Sequence, residues 1–195
     1  MKIVILSGNP KTEGLCHGVI EAARKGAEDG GAQVETLPVD KTERCRSCGG
    51  GWGACLKEHA CAFGNDGFST AQGALKGADQ VIIITPVYWG EATEGLKCFL
   101  DRFRRCEFNR DWLPRPPDQP PALRGKQILL VASAGGSGSG ILTCMDQLDR
   151  FCENIGAPVF DHIAVNRWNR DYKTQAVYQA ARAMAEGRTA GKTLR

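Results

Sequence analysis

The feature that most constrains this chain is a short apolar strand that leads directly into a polar loop and then into a helix. The strand is predicted at residues 2–6, which carry β-branched apolar side chains, and residues 7–14 form a loop of hydroxyl, amide and glycine groups. Apolar residues then recur at helical spacing from Leu15 onward. Such a unit directs the free N–H groups and the positive end of the helix to one point, where a phosphate group can bind.

This loop differs from the two common nucleotide-binding loops. It lacks the Gly-Lys-Ser/Thr ending of a Walker loop and the G-x-G-x-x-G pattern of a dinucleotide-binding turn. A polar loop that contains one lysine, Lys11, suits a single terminal phosphate such as that of FMN. The alternative interpretation is an ordinary turn between a strand and a helix.

Four further apolar strands alternate with helical patterns along the chain. An alternating order of this kind predicts a parallel sheet covered by helices on both faces. The predicted fold class is therefore α/β, a flavodoxin-like three-layer sandwich with five strands in the order 2-1-3-4-5. The further strands are predicted at 33–37, 80–85, 127–132 and 158–163, and the last helix at 174–186. We expect one domain over 1–195, with a cysteine- and glycine-rich loop at 41–67 and a proline-rich excursion at 109–121.

Composition excludes some classes of function. The formal net charge is only +3, so nothing indicates a nucleic-acid partner. No apolar run reaches the length that a membrane-spanning helix needs, and the chain begins in a strand rather than in a signal peptide. We therefore expect a cytoplasmic protein, without contact with nucleic acid or membrane.

Three loops of unusual composition should lie together at one edge of the sheet. Ligands of flavodoxin-like folds bind beyond the carboxyl ends of the strands, where the loops 7–14, 85–90 and 133–140 are predicted. The second loop offers aromatic and flat peptide surface for an isoalloxazine ring, and the third is so rich in glycine that its backbone can approach a ligand closely. The alternatives are two aromatic residues that cap the core and a flexible linker.

Several motifs resemble the NAD(P)H-dependent FMN reductases of the flavodoxin-like superfamily. They are Ser7-Gly8-Asn9-Pro10-Lys11, the segments 85–90 and 96–102, and Ala134-Gly135-Gly136-Ser137-Gly138. With Cys45-x-x-Cys48 between the second and third strands, the chain is most similar to the iron-sulfur flavoproteins of that group.

This resemblance implies that FMN is bound by all three loops, and that the flavin rather than a catalytic side chain carries the chemistry. It also implies a homodimer or homotetramer with the flavin at a subunit interface. Asn9 and Lys11 depart from the Ser-Pro-Arg form of the first loop that is common in the family, and Cys16 stands where a serine or threonine usually caps the helix. The implied cofactor-binding residues are Ser7, Asn9, Lys11, Thr12, Gly14, Leu15, Cys16, Pro86, Val87, Tyr88, Trp89, Gly90, Ala134, Gly135 and Gly136.

Four clustered cysteines are the second candidate site. Their spacing is Cys45-x2-Cys48-x6-Cys55-x5-Cys61, whereas the iron-sulfur flavoproteins that the chain resembles typically show Cys-x2-Cys-x2-Cys and a fourth cysteine after a short gap. The insertion at 49–54 lengthens the second gap. Three interpretations stay open: a [4Fe–4S] cluster, a tetrahedral zinc ion, or a metal-free loop that forms part of the flavin pocket or an interface.

The resulting hypothesis is an FMN-dependent oxidoreductase. It would pass electrons from NAD(P)H, or from a reduced ferredoxin-like partner, through flavin N5 to a small acceptor such as a quinone, a nitro- or an azo-compound. One alternative is a flavodoxin-like electron carrier without its own NAD(P)H activity. Another is a phosphatase that uses Cys98-x5-Arg104, although this motif falls inside a helical pattern. The nearby arginines, which include Arg102, are predicted to lie on a solvated helix face; the alternative is that they attract the phosphates of a dinucleotide or an acidic patch of a partner.

Overall fold

The computed structural model describes residues 1–108, 115 and 119–189, and its centre is a five-stranded parallel sheet. The strand order is β2-β1-β3-β4-β5, which confirms the predicted fold class. Every neighbouring pair in the sheet is parallel. The strands are β1 Lys2–Ser7, β2 Gln33–Pro38, β3 Gln80–Pro86, β4 Ile128–Ala134 and β5 Val159–Asn166.

Helices cover both faces of this sheet. They are α1 Gly14–Asp29, α2 Ala54–Lys57, α3 Phe68–Lys76, α4 Glu94–Cys106, α5 Ile141–Ile155 and α6 Arg170–Ala185. Successive side chains of a strand point to opposite faces, so Ile3 and Ile5 of β1 join the core beneath α1 and α6, while Val4 and Leu6 join the core beneath α3, α4 and α5. The central strands are buried on both sides for this reason.

Two stretches of the chain differ from the sequence-based expectation. Helix α6 begins at Arg170, one turn before the predicted start at 174. The predicted loop 41–67 contains a 3-10 turn at Cys48–Gly51 and the short helix α2. These elements are too short to leave a periodic signal in the sequence. Most of the predicted excursion 109–121 lies outside the described residues.

The helices of the described ranges are all too short or too polar to cross a membrane.

Candidate functional site

The loops that follow β1, β3 and β4 lie side by side, because these three strands are neighbours in the sheet. Ser7 at the end of β1 pairs with Ile84 of β3, and Pro86 at the end of β3 pairs with Ser133 of β4. The three loops that the sequence singled out therefore open at the same edge. This is the edge at which flavodoxin-like folds bind their ligands.

The first loop is folded by its own polar side chains. The backbone N–H of Asn9 donates to Oγ of the buried Ser7 at 3.2 Å, and Nδ2 of Asn9 donates to the carbonyl of Lys11 at 2.6 Å. Lys11, Thr12 and Gly14 are exposed. The loop thus presents a cation and several polar groups to solvent directly before α1 begins.

The amino end of α1 offers hydrogen-bond donors to a ligand. Its N-cap residue is Glu13, and in the described structure no side chain caps the helix and no acidic residue lies in its first turn. The first N–H groups of a helix have no partner within the helix, so those of Gly14, Leu15 and Cys16 are available to an anion.

The thiol of Cys16 is shielded from solvent. Cys16 is buried, and burial raises the pKa of its thiol to about 11, although a hydrogen bond with Ser133 acts in the opposite direction. Cys16 therefore has its backbone N–H, and not its side chain, to offer to a phosphate group.

The second loop is a tight hairpin turn that projects an aromatic side chain. The backbones of Tyr88 and Glu91 exchange hydrogen bonds of 2.9 and 3.1 Å, and Trp89 and Gly90 between them have φ values of +53° and +83°. This is the pattern of a two-residue type I′ turn, in which asparagine-glycine is the favoured pair. Trp89 is fully exposed, with a relative accessibility of 103%. A bulky residue in this strained conformation is typical of a functional position.

The third loop packs against the second through glycine. A Cβ atom on Gly140 would lie 2.6 Å from the Cα atom of Gly90, so the two loops touch where neither residue has a side chain. Val87, which follows β3, donates its N–H to the carbonyl of Ser133 at 2.7 Å. Ala134 is buried, whereas Gly135 is exposed and Gly136 half-buried. The backbone at 135–136 is therefore open to a ligand.

Two threonines that the sequence analysis missed tie the loops together. The hydroxyl of Thr93 donates to the carbonyl of Gly8 at 2.8 Å, and the N–H of Thr93 donates to Oγ1 of Thr85 at 3.3 Å. Both threonines are buried. They hold the first loop against the start of α4, a contact between distant residues that leaves no local pattern in the sequence.

The four clustered cysteines line one cavity. This cavity, of about 20 Å³, lies under the loop 41–67 against the end of α4, and it is also lined by Cys106 and by four arginines. The backbone is left-handed at Ser47, directly before the turn at 48–51, and at Gly49 and Gly50 within it, and a Cβ on Gly53 would lie 2.5 Å from Sγ of Cys48. The glycines of the insertion thus allow the backbone to fold closely around the thiols.

One of these four arginines, Arg102, is buried, contrary to the expected solvated face. The guanidinium of Arg102 is 3% exposed, lies over the ring of Phe68 at 4.3 Å and donates to both carboxylate oxygens of Asp66. It also donates to Sγ of Cys61 at 3.4 Å and to the carbonyls of Glu43 and Phe63. Arg102 therefore anchors both ends of the cysteine loop to α4.

The cysteine thiols that line the cavity are ligands that suit a soft metal centre, although they are not arranged around an ion. Among the described residues no group of three or more cysteine, histidine or carboxylate side chains has the geometry of a metal site. Thiolates are the ligands of both zinc and iron–sulfur centres. A space of about 20 Å³ holds roughly one water-sized group. A single ion would fit there, whereas a cubane cluster requires the glycine-rich loop to move outward.

The phosphatase motif has no support from its surroundings. Cys98 is half-buried inside α4, and burial together with the carboxylates of Glu94 and Asp101 raises the pKa of its thiol. A reactive cysteine needs a lowered pKa. Cys98 is therefore better explained as a packing residue.

The parallel sheet and the three loops at its carboxyl edge define a flavodoxin-like α/β protein. The model of the NADPH-dependent FMN reductase family matches residues 1–169, which is most of the chain. The chain therefore belongs to this family.

Relatives and solved structures agree with this assignment. An iron-sulfur flavoprotein of Methanosarcina thermophila is 31% identical over 145 residues, 72% of this chain and 66% of that protein. One from Archaeoglobus fulgidus is 29% identical over 140 residues, 69% of this chain and 56% of that protein. The chain thus matches less than two thirds of the length of these relatives.

Two solved structures share the fold. The NAD(P)H:quinone oxidoreductase of Methanothermobacter marburgensis has a TM-score of 0.73 at 15% identity, and the match covers 94% of this chain and 96% of that one. An FMN-dependent NADH-azoreductase of Bacillus anthracis, solved with FMN, has a TM-score of 0.66 at 12% identity, with coverage of 96% and 99%.

Proposed function

We propose that this protein is an FMN-dependent oxidoreductase that takes electrons from NAD(P)H, or from a reduced ferredoxin-like partner, and passes them to a small acceptor such as a quinone, a nitro- or an azo-compound. The observation that carries the proposal is the meeting of three loops at the carboxyl edge of β1, β3 and β4. Membership of the FMN reductase family supports the same cofactor.

The residues of the three loops fit the parts of FMN. The N–H groups at the start of α1, the hydroxyl of Ser7 and the charge of Lys11 suit its phosphate group. The hairpin at 88–91 offers a flat surface to the ring, and the open backbone at 135–136 suits its polar edge. When bound, FMN would supply the redox chemistry, since its N5 can take up hydride. The protein would position the ring with one face open, and no side chain need act as an acid or a base.

We propose that the cysteine cavity holds a [4Fe–4S] cluster once the glycine-rich loop has moved outward to make room for it. The names of the iron-sulfur flavoproteins to which the chain is similar support iron over zinc. Cys45, Cys48, Cys55 and Cys61 are the proposed ligands from the loop, and the four arginines of the cavity wall would offset the negative charge of the thiolates. Such a centre would allow the exchange of single electrons with a ferredoxin-like partner.

We further propose a homodimer or a homotetramer. The exposed apolar side chains of Tyr88, Trp89 and Leu142 lie at or next to the loops that would hold the flavin. Covering them with a second copy of the chain would also exclude water from the flavin. Light scattering on the FMN-loaded protein measures this directly, and a monomer at all concentrations would refute it.

The decisive experiment adds NADH or NADPH without oxygen to the FMN-loaded protein. The oxidoreductase hypothesis expects the flavin absorption bands to bleach with at least one of them and to return when a quinone is added. Because only one nucleotide site is proposed, double-reciprocal plots should give parallel lines. If neither nucleotide bleaches the flavin, the protein is better explained as an electron carrier, although its formal net charge of +3 is unlike that of the usual acidic carriers. A protein that stays colourless after incubation with FMN would refute both.

A further inference from the structure

A fifth thiol that the loop does not supply lines the cysteine cavity. Cys106 is the last residue of α4, is 1% exposed and lies outside the four-cysteine motif. The cavity is lined by Cys45, Cys48, Cys55, Cys61 and Cys106. A cubane cluster or a zinc ion takes four thiolates, so one of these five thiols is in excess.

The insertion at 49–54 packs against the end of α4, next to Cys106. The ring of Trp52, within the insertion, lies 5.2 Å from the guanidinium carbon of Arg105 and 6.0 Å from the ring of Phe108. Both partners flank Cys106 in the sequence. The insertion is therefore folded against the end of α4 instead of projecting into solvent, and Cys55, which follows it, lies at the cavity.

Helix α4 also holds Cys61 in place. Arg102 lies one turn before Cys106, so the two residues share a face of the helix. Because Arg102 donates to Sγ of Cys61 at 3.4 Å, that thiol is held at the face from which Cys106 projects. Burial, and after it the charges of Cys55 and Cys61, raise the pKa of the Cys106 thiol to about 12, which agrees with the proximity of the three sulfur atoms.

We propose that Cys106 is a thiolate ligand of the metal centre, together with three cysteines of the loop. This inference rests on the cluster proposed above and changes its ligand set. The longer gap between Cys48 and Cys55 then has a structural reason, because the insertion carries the loop across to a ligand on the helix. Each thiol gives its proton to solvent as its sulfur binds the metal. Arg102 and Arg105 in the cavity wall offset the remaining negative charge.

The test compares the full chain with two variants, Cys106→Ala and Cys144→Ala. Cys144 is the matched control, because it is fully buried in α5, burial raises its pKa to about 12 as well, and it does not line the cavity. Each protein is reconstituted without oxygen with ferrous iron and sulfide, and separately titrated with Co²⁺ alone. Iron and sulfide content, the electron paramagnetic resonance spectrum and the Co²⁺–thiolate absorption band are measured.

We expect Cys106→Ala to lose at least half of the bound iron and about a quarter of the Co²⁺–thiolate band, since one of four sulfur ligands is removed. Cys144→Ala should match the wild type. If Cys106→Ala binds iron and Co²⁺ as the wild type does, Cys106 is not a ligand. If the wild type itself binds neither metal, both the cluster and this inference fail, while the flavin absorption of the same samples shows whether the oxidoreductase proposal survives.

A second measurement needs no substitution. The metal-free wild type is placed in enough urea for iodoacetamide to label both Cys106 and Cys144. Added Co²⁺ should then protect Cys106 from the reagent and leave Cys144 reactive. Equal labelling of the two cysteines in the presence of Co²⁺ would overturn the inference even if Cys106→Ala fails to fold.

Discussion

The buried ion pair between Arg102 and Asp66 should be a main source of stability in the cysteine loop. Both carboxylate oxygens of Asp66 accept hydrogen bonds from Arg102, and its Oδ2 also accepts one from the N–H of Glu43 at 3.0 Å. The side chains are 3% and 13% exposed. The substitution Asp66→Asn keeps the size of the side chain but removes its charge, which leaves the guanidinium buried without its counter-ion.

The expected cost follows from this burial. Removing one partner of a buried ion pair destabilises a protein by about 3–5 kcal/mol. In a domain of this size, about 1 kcal/mol lowers Tm by about 2–4 °C, so Asp66→Asn should lower Tm by about 6–20 °C. The matched control is Asp101→Asn, because the pair of Asp101 and Arg104 also lies on α4 but its side chains are 49% and 33% exposed. An exposed ion pair contributes about 0–1 kcal/mol to the free energy of unfolding, so the control should lose much less stability than Asp66→Asn.

Urea unfolding of the metal-free and FMN-free protein, followed by tryptophan fluorescence, measures both variants. Equal losses of stability in Asp66→Asn and Asp101→Asn would refute the argument, since burial would then make no difference. Cys61 should also become more accessible to thiol reagents in Asp66→Asn, because Arg102 would hold its sulfur atom less firmly.

The same pair predicts a dependence of stability on pH. Burial raises the pKa of Asp66, but the hydrogen bonds from Arg102, Glu43 and Phe68 outweigh it and hold the pKa below the ordinary value of 3.8. The folded protein therefore binds fewer protons at this site than the unfolded chain. The contribution of the pair is complete above pH 3.8 and is lost as the pH falls through the lower folded pKa. Below about pH 4, the wild type should lose stability more steeply than Asp66→Asn.

Three further substitutions test the loops. Trp89→Asn should raise the free energy of unfolding in urea by about 1 kcal/mol, because asparagine tolerates positive φ. The same substitution should slow quinone reduction, and an unchanged rate would show that Trp89 has no role in the reaction. Gly8→Ala should lower the free energy of unfolding by about 1–3 kcal/mol, since the methyl group of the alanine would lie 2.8 Å from a buried hydroxyl. The control Gly73→Ala, which has open space around it in α3, should leave stability unchanged or raise it. Lys11→Met should weaken FMN binding about fivefold at low salt, as measured by quenching of flavin fluorescence, while Glu13→Gln should strengthen it. Equal effects of the two substitutions would argue against a phosphate at this end of α1.

The amino-acid sequence alone was sufficient to predict the elements of this protein and their order in the sheet. Apolar runs such as 80–85 and the helical spacing of apolar residues at 141–155 are local patterns, and alternating strands and helices leave few possible topologies. The three loops could be predicted to meet because parallel strands all end at the same edge. Their composition, read together with the family resemblance, then indicated FMN.

Other features depended on the tertiary structure. The sequence suggested a solvated face for Arg102 and did not connect Cys106 with the loop cysteines, yet the first is buried against Asp66 and the second lines their cavity. The contact of Thr93 with Gly8 and the strained turn at Trp89 were likewise unpredicted. These features depend on which distant residues meet when the loop 41–67 packs against α4 and when the loops pack together. A local pattern reports the conformation of its own segment, whereas burial, charge pairing and the convergence of thiols are decided by the segment that packs against it.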